Sequence, residues 1–357
     1  MPLIYISIAA HGYGHSAQTA PVVNALRAMR PDVQLVIRSG LPRTLLDAHF
    51  EGPFEHVPIE AEVGMCMSNA LDVEVHASYA AHLEFHRDWG ARVAREAAEL
   101  KARGVSLVVA NVSYLMAAAA DRAGIPSAML CSLNWADIFQ AYCGTHAAAG
   151  ELHTQMLSAY NRAAVFIQPE PHMPMPGIRN PMPVGPVARI GRVRREELRA
   201  RLGLASERRL VLIAMGGIPM RIAVESWPRC EDIAYLVPAA WQVQRSDMFP
   251  IEDLEWPYLD LLCASDAVIT KPGYGTFADC ACNRMPALYV RRRDWPEEPY
   301  LIEWLEANAR CAELPRAALE QGAVGDPLRA LWAATPVPAR RATGGEQAAV
   351  CLAELLA

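Results

Sequence analysis

Residues 271–276 read Lys-Pro-Gly-Tyr-Gly-Thr, which places a cation, two glycines and a hydroxyl within six positions. A β-branched strand from Ala267 to Thr270 runs into this turn. A helix-like run from Phe277 to Asn283 follows, and then a second apolar strand from Pro286 to Val290. A glycine turn between strand and helix aims backbone N–H groups at the helix N-terminus, where they favour an anion, most often a phosphate. Lys271 adds a full positive charge beside Gly273, Tyr274 and Gly275, and the Thr276 hydroxyl adds a donor at the helix start. A loop whose glycines serve only tight turning explains one such segment as well.

Two further turns of this kind strengthen the reading. Leu3–Ile8 reads as a buried strand and leads into His11-Gly12-Tyr13-Gly14-His15, after which Val22, Val23, Leu26 and Met29 mark one apolar face of a helix. The strand Leu210–Ala214 leads into Met215-Gly216-Gly217-Ile218-Pro219. Three such turns, divided between the two halves of the chain, imply two α/β lobes with a ligand between them.

These turns need strands and helices to hold them. The first half alternates strands (Leu3–Ile8, Gln34–Arg38, Leu107–Ala110, Ser127–Cys131, Ala164–Ile167) with helices (Ala17–Met29, Leu83–Arg103, Tyr114–Ala123), the pattern of a parallel sheet covered on both faces. Residues 60–85 are less regular and read as an excursion forming part of a cleft wall. Seven prolines between Pro169 and Pro186 read as linker, and Arg194–Leu204 as an amphipathic helix capping the second half. Strands resume at Leu210–Ala214, Tyr235–Val237, Trp241–Val243, Ala267–Thr270 and Ala287–Val290, and a last helix spans Glu346–Leu355. The expected division is a Rossmann-like domain over 1–180, linker and capping helix over 181–205, a second Rossmann-like domain over 206–340, and a C-terminal helix over 341–357.

The chain has 357 residues, 52% of them hydrophobic, enough for two ordinary domains. A net charge of −6 gives no basic footprint for nucleic acid. The basic runs Arg192–Arg201 and Arg291–Arg293 are short, interleaved with acids, and expected on a solvated face. No apolar stretch reaches the ~20 residues of a membrane span. Met1-Pro2-Leu3 enters a core strand directly, so no leader is expected. Peripheral contact with a membrane stays open. The nine scattered cysteines read as reduced core thiols of a cytoplasmic protein, and His11 with His15 lacks a third ligand for zinc.

These motifs resemble the GT-B class of nucleotide-sugar glycosyltransferases, in the branch that includes the peptidoglycan N-acetylglucosaminyltransferase. That class carries HGGxGTxxE followed by a helix and Pro, where this chain has Lys-Pro-Gly-Tyr-Gly-Thr-Phe-Ala-Asp over 271–279 and Pro at 286. The likeness is closer to the glycosyltransferase-like region of plant-type L-arabinokinases, with GHGFGH, KxGYGT and PxxxVRRDxxxEEPxL patterns. Here the counterparts are residues 11–15, residues 271–276, and Pro286 to Arg293 with Glu297-Glu298-Pro299-Tyr300-Leu301. The resemblance spans nearly the whole chain and does not extend to a sugar-kinase half. It implies two Rossmann-like domains with parallel sheets facing across a cleft. It also implies a nucleoside diphosphate sugar as donor, with UDP preferred, and no required metal. In this chain Lys271 replaces the usual loop histidine. Asp279 stands where a glutamate commonly holds the ribose hydroxyls. Glu297 and Glu298 fall where related enzymes hold donor hydroxyls, with a solvated helix start as the alternative.

Breaking the anomeric bond of such a donor expels a diphosphate, whose charge must meet donors already in place. Lys271, the N–H groups of Gly273, Gly275 and Thr276, and the Gly216-Gly217 turn would supply them. Gly12 and Gly14 would let the backbone approach the diphosphate or sugar. The acceptor hydroxyl must lose a proton, and His15 is the candidate base, with His11 second; a structural histidine at a helix start is the alternative reading of His15. Asn111 and Ser113, and then Asn134 and Asp137, follow strands at the end where α/β ligands bind, and are assigned to the acceptor side; Trp135 fits there or in the core. The expected activity is glycosyl transfer to an unidentified acceptor, with inversion favoured. A nucleotide-sugar hydrolase, or a non-catalytic nucleotide-sugar-binding partner of a sugar kinase, are the alternatives.

Overall fold

Residues 1–60 and 62–356 are described by the computed structural model of the chain. The first lobe runs β1 (Leu3–Ile8), α1 (Gly14–Met29), β2 (Gln34–Arg38), α2 (Arg43–His49), β3 (Glu55–Val57), α3 (Val75–Arg87), α4 (Trp89–Ala102), β4 (Val105–Asn111), α5 (Tyr114–Ala123), β5 (Ser127–Leu130), α6 (Trp135–Cys143), α7 (Ala149–Tyr160), β6 (Val165–Pro169) and β7 (Pro181–Val184). The second runs α8 (Arg195–Leu202), β8 (Arg209–Ala214), β9 (Ile233–Val237), β10 (Met248–Pro250), α9 (Tyr258–Ala264), β11 (Ala267–Thr270), α10 (Tyr274–Asn283), β12 (Ala287–Tyr289), α11 (Glu298–Asn308), β13 (Cys311–Glu313), α12 (Arg316–Gln321) and α13 (Gly325–Ala333). A last helix, α14 (Gly344–Leu355), follows.

Each lobe is one parallel sheet. The orders are β3-β2-β1-β4-β5-β6-β7 and β10-β9-β8-β11-β12-β13. Central strands such as β1, β4 and β11 are apolar and buried because helices cover both faces. In both sheets the strand order reverses once, between β1 and β4 and between β8 and β11. Open α/β sheets bind ligands at the carboxyl ends of strands beside such a reversal. All three glycine turns leave these strands: 11–15 follows β1, 215–219 follows β8, and 271–276 follows β11.

Several elements depart from the expected ones. The prolines at 181 and 183 belong to β7, an edge strand paired on one side only, where a missing N–H is tolerated. Residues 83–103 are broken at Asp88 into α3 and α4. Ala239–Trp241 is a 3₁₀ turn, and the strand expected at 241–243 is replaced by Met248–Pro250. The basic runs are not wholly solvated: Arg199 and Arg292 are buried.

The excursion after β3 crosses to the other lobe. Ala70 and Leu71 pack inside the second lobe's apolar cluster with Met215 and Leu288, and Asp72 makes a bidentate ion pair to Arg316 at 2.8 and 2.9 Å. Fully burying a leucine contributes about 1.5–3 kcal/mol. A half-exposed ion pair contributes about 0–1 kcal/mol. Leu71 therefore holds this strap more than Arg316 does. The chain also returns from the second lobe, and α14 packs on α1. Where the two crossings meet, Gly344 N–H donates to the Pro186 carbonyl at 3.0 Å and Gly185 N–H to Gln347 Oε1 at 2.7 Å.

Candidate functional site

The two lobes meet at the N-termini of α1 and α10. Neither helix has a side-chain cap or an acidic residue in its first turn, so both ends keep free N–H donors and an uncompensated positive dipole. The ends are close: a Cβ built on Gly275 would stand 3.9 Å from Gly14 Cα and 3.5 Å from Ala17 Cβ. The β8 turn closes on the β1 turn as well. A Cβ on Gly217 would lie 2.8 Å from the Tyr13 backbone nitrogen, closer than real Cβ contacts come. Gly12 and Gly216 hold φ +84° and +87°, a conformation that favours glycine.

Lys271 reaches from the β11 turn to the β8 turn at this junction. Its Cε is 3.2 Å from the Cβ position of Gly216, and its Nζ is 3.4 Å from that of Gly273. The ammonium has no hydrogen bond or ion pair among the described residues. Burial, and then the nearby Arg292 guanidinium, push it down to about 7, against the pull of Glu297 and Glu298. It is a cation held without a counter-charge in contact, between two glycine turns and beside two helix N-termini.

His15 sits in the first turn of α1, facing this space. Its Nδ1 is 2.8 Å from Asn111 Oδ1, at the end of β4. Asn111 Nδ2 donates to the His15 carbonyl at 3.3 Å and to Gln18 Oε1 at 2.9 Å, which fixes the amide with its oxygen toward the ring. His15 therefore carries its proton on Nδ1 and presents the Nε2 lone pair, which has no partner among the described residues. Burial lowers its basicity, so the ring is neutral at pH 7. His11 is placed differently. Its Nε2 lies 2.9 Å from the Met65 carbonyl, and its ring packs against Trp135 and Trp295. Burial, with His15 and Lys271 nearby, pushes it down to about 3. The two imidazoles differ in what they present: His15 bonds Asn111 through Nδ1 and leaves Nε2 without a partner among the described residues, while His11 gives Nε2 to the Met65 carbonyl.

Other expected site residues have their polar atoms taken up elsewhere. The Tyr274 hydroxyl donates to the Glu170 carbonyl at 3.1 Å and accepts from Val187 N–H at 2.9 Å, holding the lobe-crossing segment. Asp279 accepts from Arg189 N–H at 3.2 Å on that segment, and burial raises it to about 6. Asn134 caps α6 through Asp137 N–H at 2.8 Å, and Asp137 also meets His153 at 3.1 Å. Ser113 caps α5. Glu298 is buried against Arg292, accepting its N–H at 3.1 Å, while Arg292 donates to the Pro272 carbonyl at 2.8 Å and lies over Trp295. Glu297 accepts from Ser132 Oγ at 2.7 Å and Trp295 Nε1 at 3.2 Å. Thr276 lies in the first turn of α10, partly exposed.

The sequence reading missed Gln18, Ser132, Arg292 and Glu62. Gln18 is legible as the residue one helical turn after His15, and Ser132 as a polar residue just past β5. Glu62 is buried beneath Trp135, which donates its indole N–H to Glu62 Oε1 at 3.2 Å. Its Oε2 has no partner among the described residues, and burial raises the carboxyl to about 8. Nothing in its neighbourhood in sequence marks it. Beside the junction, a groove of about 510 Å³ opens at the carboxyl ends of β9 and β10, lined by Val237, Pro238, Gln242, Pro250 and Asp253 among others. Among the described residues no group of three or more His, Cys, Asp or Glu is placed to hold a metal, and no helix is long and apolar enough to cross a membrane.

No protein-family profile matches the chain. An L-arabinokinase of Arabidopsis thaliana is 27% identical over 354 residues, which is 97% of this chain but 34% of that protein, so the chain spans about a third of its length. Among solved structures, the glycosyltransferase of kitacinnamycin aligns over 100% of both chains with a TM-score of 0.62 and 14% identity. A UDP-glucosyltransferase from Polygonum tinctorium aligns over 99% of this chain and 98% of its own, with a TM-score of 0.61 and 14% identity. The glycosyltransferase VinC, solved with dTDP, aligns over 99% and 95% with a TM-score of 0.55 and 14% identity. The chain thus has the two-sheet GT-B fold of these glycosyltransferases throughout, and its sequence is similar to one third of an L-arabinokinase.

Proposed function

We propose that the protein is a glycosyltransferase that moves a sugar from a nucleoside diphosphate sugar, UDP by preference, to an acceptor hydroxyl. The observation that carries this reading is the opposition of His15 and Lys271 at the reversal points of two facing sheets. The lobe of residues 1–180 serves the acceptor and that of 206–340 the donor. The diphosphate lies at Lys271, Gly216, Gly217 and the α10 N-terminus, and the nucleoside extends toward the groove at β9 and β10. That groove is about 5–10 Å from the end of β8 at ~4.8 Å per strand. The acceptor oxygen attacks the anomeric carbon, its proton passes to His15 Nε2, and the bond to the diphosphate breaks with inversion. Lys271 and the helix N–H groups receive the charge that develops on the departing diphosphate, and this step uses no metal. Names of structural neighbours that include a UDP-glucosyltransferase and a complex with dTDP support a pyrimidine nucleotide.

A thermal-shift screen of UDP, dTDP and their sugars tests the donor class, because a ligand of the native state raises the melting point by mass action. A rise with a nucleoside diphosphate that is lost in Lys271→Met supports the site. No shift with any nucleotide sinks it. Release of free sugar from UDP-sugar with no added acceptor would convert the reading to hydrolysis.

A further inference from the structure

Glu297 lies at the entrance to α11 in the second lobe, yet a single line of hydrogen bonds joins it to His15 in the first. His15 Nδ1 meets Asn111 Oδ1 at 2.8 Å, Asn111 Nδ2 donates to Gln18 Oε1 at 2.9 Å, Gln18 Nε2 to Ser132 Oγ at 3.2 Å, and Ser132 Oγ to Glu297 Oε1 at 2.7 Å. All five side chains are at most 9% exposed. The polarity of the line is fixed at both ends. At one end the His15 carbonyl can only accept, which orients Asn111. At the other a carboxylate takes the Ser132 proton. Every donor therefore points from His15 toward Glu297, and aligned hydrogen bonds in a low-dielectric interior polarise one another.

Glu297 itself is an unusual carboxylate. It makes no ion pair within 4 Å among the described residues, and two neutral donors, Ser132 and the Trp295 indole, hold its oxygens. Lys271 and Arg292 act on it without direct contact, and further positive charge appearing nearby stabilises it more. His15 acquires that charge when it accepts a proton; the amide oxygen of Asn111 stabilises it as a dipole, and Glu297 adds a full opposite charge, while Lys271 opposes it. The Ser132–Glu297 link also joins the two lobes.

We propose that Glu297 is a positioning residue for His15. Acting through Ser132, Gln18 and Asn111, it reinforces the Nδ1–H tautomer that the His15 carbonyl already favours and offsets the charge of the imidazolium, and it does so only while the lobes are joined. This rests on the reading of His15 as the base, and it departs from the expectation that Glu297 holds sugar hydroxyls.

The test reads the imidazole directly in the ligand-free full chain. In ¹⁵N-histidine-labelled protein at pH 7.5, with His15 assigned by its loss in His15→Asn, wild type shows one Nδ1–H tautomer. Ser132→Ala and Glu297→Leu free Gln18 to turn over and leave the 3.3 Å bond to the His15 carbonyl as the restraint on Asn111, and an Nε2–H population appears. Glu297→Gln keeps the acceptor oxygen and so keeps the tautomer, while His15 titrates lower by on the order of half a pH unit or more once the charge is gone. Wild-type tautomer and titration in all three variants would overturn the proposal. Calorimetry with UDP on the same samples reads the donor site separately. An altered His15 in a protein that binds no UDP supports the positioning role and rejects the proposed transfer, and the converse result does the reverse.

Discussion

The amide oxygen of Asn111 holds the Nδ1 of His15 at 2.8 Å, leaving Nε2 as the ring's only open lone pair. Removing the imidazole removes proton acceptance but no phosphate contact. His15→Ala is expected to lower turnover by about 10²–10⁴ while UDP affinity stays within about threefold. Single-turnover assays with a responsive UDP-sugar, paired with calorimetry, check both halves. Unchanged turnover would remove His15 as the base.

Lys271 carries a pH dependence with a defined sign. Its ammonium is pushed down to about 7 in the folded chain, and a bound diphosphate would raise it again. Nucleotide binding at pH 8 should take up close to one proton, and affinity should fall as pH rises above 7, by up to about tenfold per pH unit. Calorimetry in two buffers of different ionisation enthalpy measures the uptake. On stability the sign reverses. The unfolded chain keeps the lysine proton up to its ordinary range near 10.4, so the cost of burying the cation is full below pH 7 and fades as pH rises toward that range. Lys271→Met should therefore melt higher than wild type at pH 6.5, with a margin that shrinks toward pH 10, and should lose UDP binding.

Glu62 gives the opposite slope. Burial, and then the charge of Glu60, raise its carboxyl to about 8. The folded state keeps a proton that the unfolded chain releases near 4.5. This contribution is whole below pH 4.5 and is lost as pH rises through 8. Glu62→Gln should flatten the decline of Tm between pH 5 and 8.5, leaving the variant higher at the alkaline end by several °C, on the order expected for 1–2 kcal/mol. Parallel Tm curves for the two proteins would show that the carboxyl is ionised when folded.

The strap between the lobes tests packing against charge. Leu71→Ala should cost about 2–5 kcal/mol, because it leaves a hole inside the second lobe's core. Arg316→Ala should cost no more than about 1 kcal/mol despite its bidentate geometry, since both partners are about one-third exposed. Urea midpoints of the two variants decide between them. An equal or larger loss in Arg316→Ala would make the ion pair the principal tie.

What sequence made legible was local. Glycine turns after β1, β8 and β11 obey short-range rules, so the sequence shows the two-sheet architecture and the loops that carry Lys271, His15 and Gly216. What it hid depends on contacts between distant residues. Ser132 and Glu297 are 165 positions apart, and Gln18 and Ser132 114 apart, so no spacing announces their line of hydrogen bonds. Asp279 stands where the resemblance puts a ribose-holding glutamate and Tyr274 lies in the glycine turn beside Lys271, yet helix geometry turns them toward Glu170, Val187 and Arg189. Asn134 was ambiguous for a plain reason: the residue that opens a helix at a strand's carboxyl end is equally suited to capping it. The short strand β10 escaped notice because it has three residues, one of them Pro250, too few for periodicity to register.

Apart from the strap at Leu71, the backbone passes between the lobes at two points, and these are fastened to each other, Gly344 to Pro186 and Gly185 to Gln347. A single tether would let one half swivel freely about the other. Paired tethers confine the motion to one rotation, like a door on two pins; a swing that parted Tyr13 from Gly217 would also have to strain the strap seated by Leu71. In the proposed reaction, entry of the donor and exit of the nucleoside diphosphate would then share a single path, travelled in opposite directions.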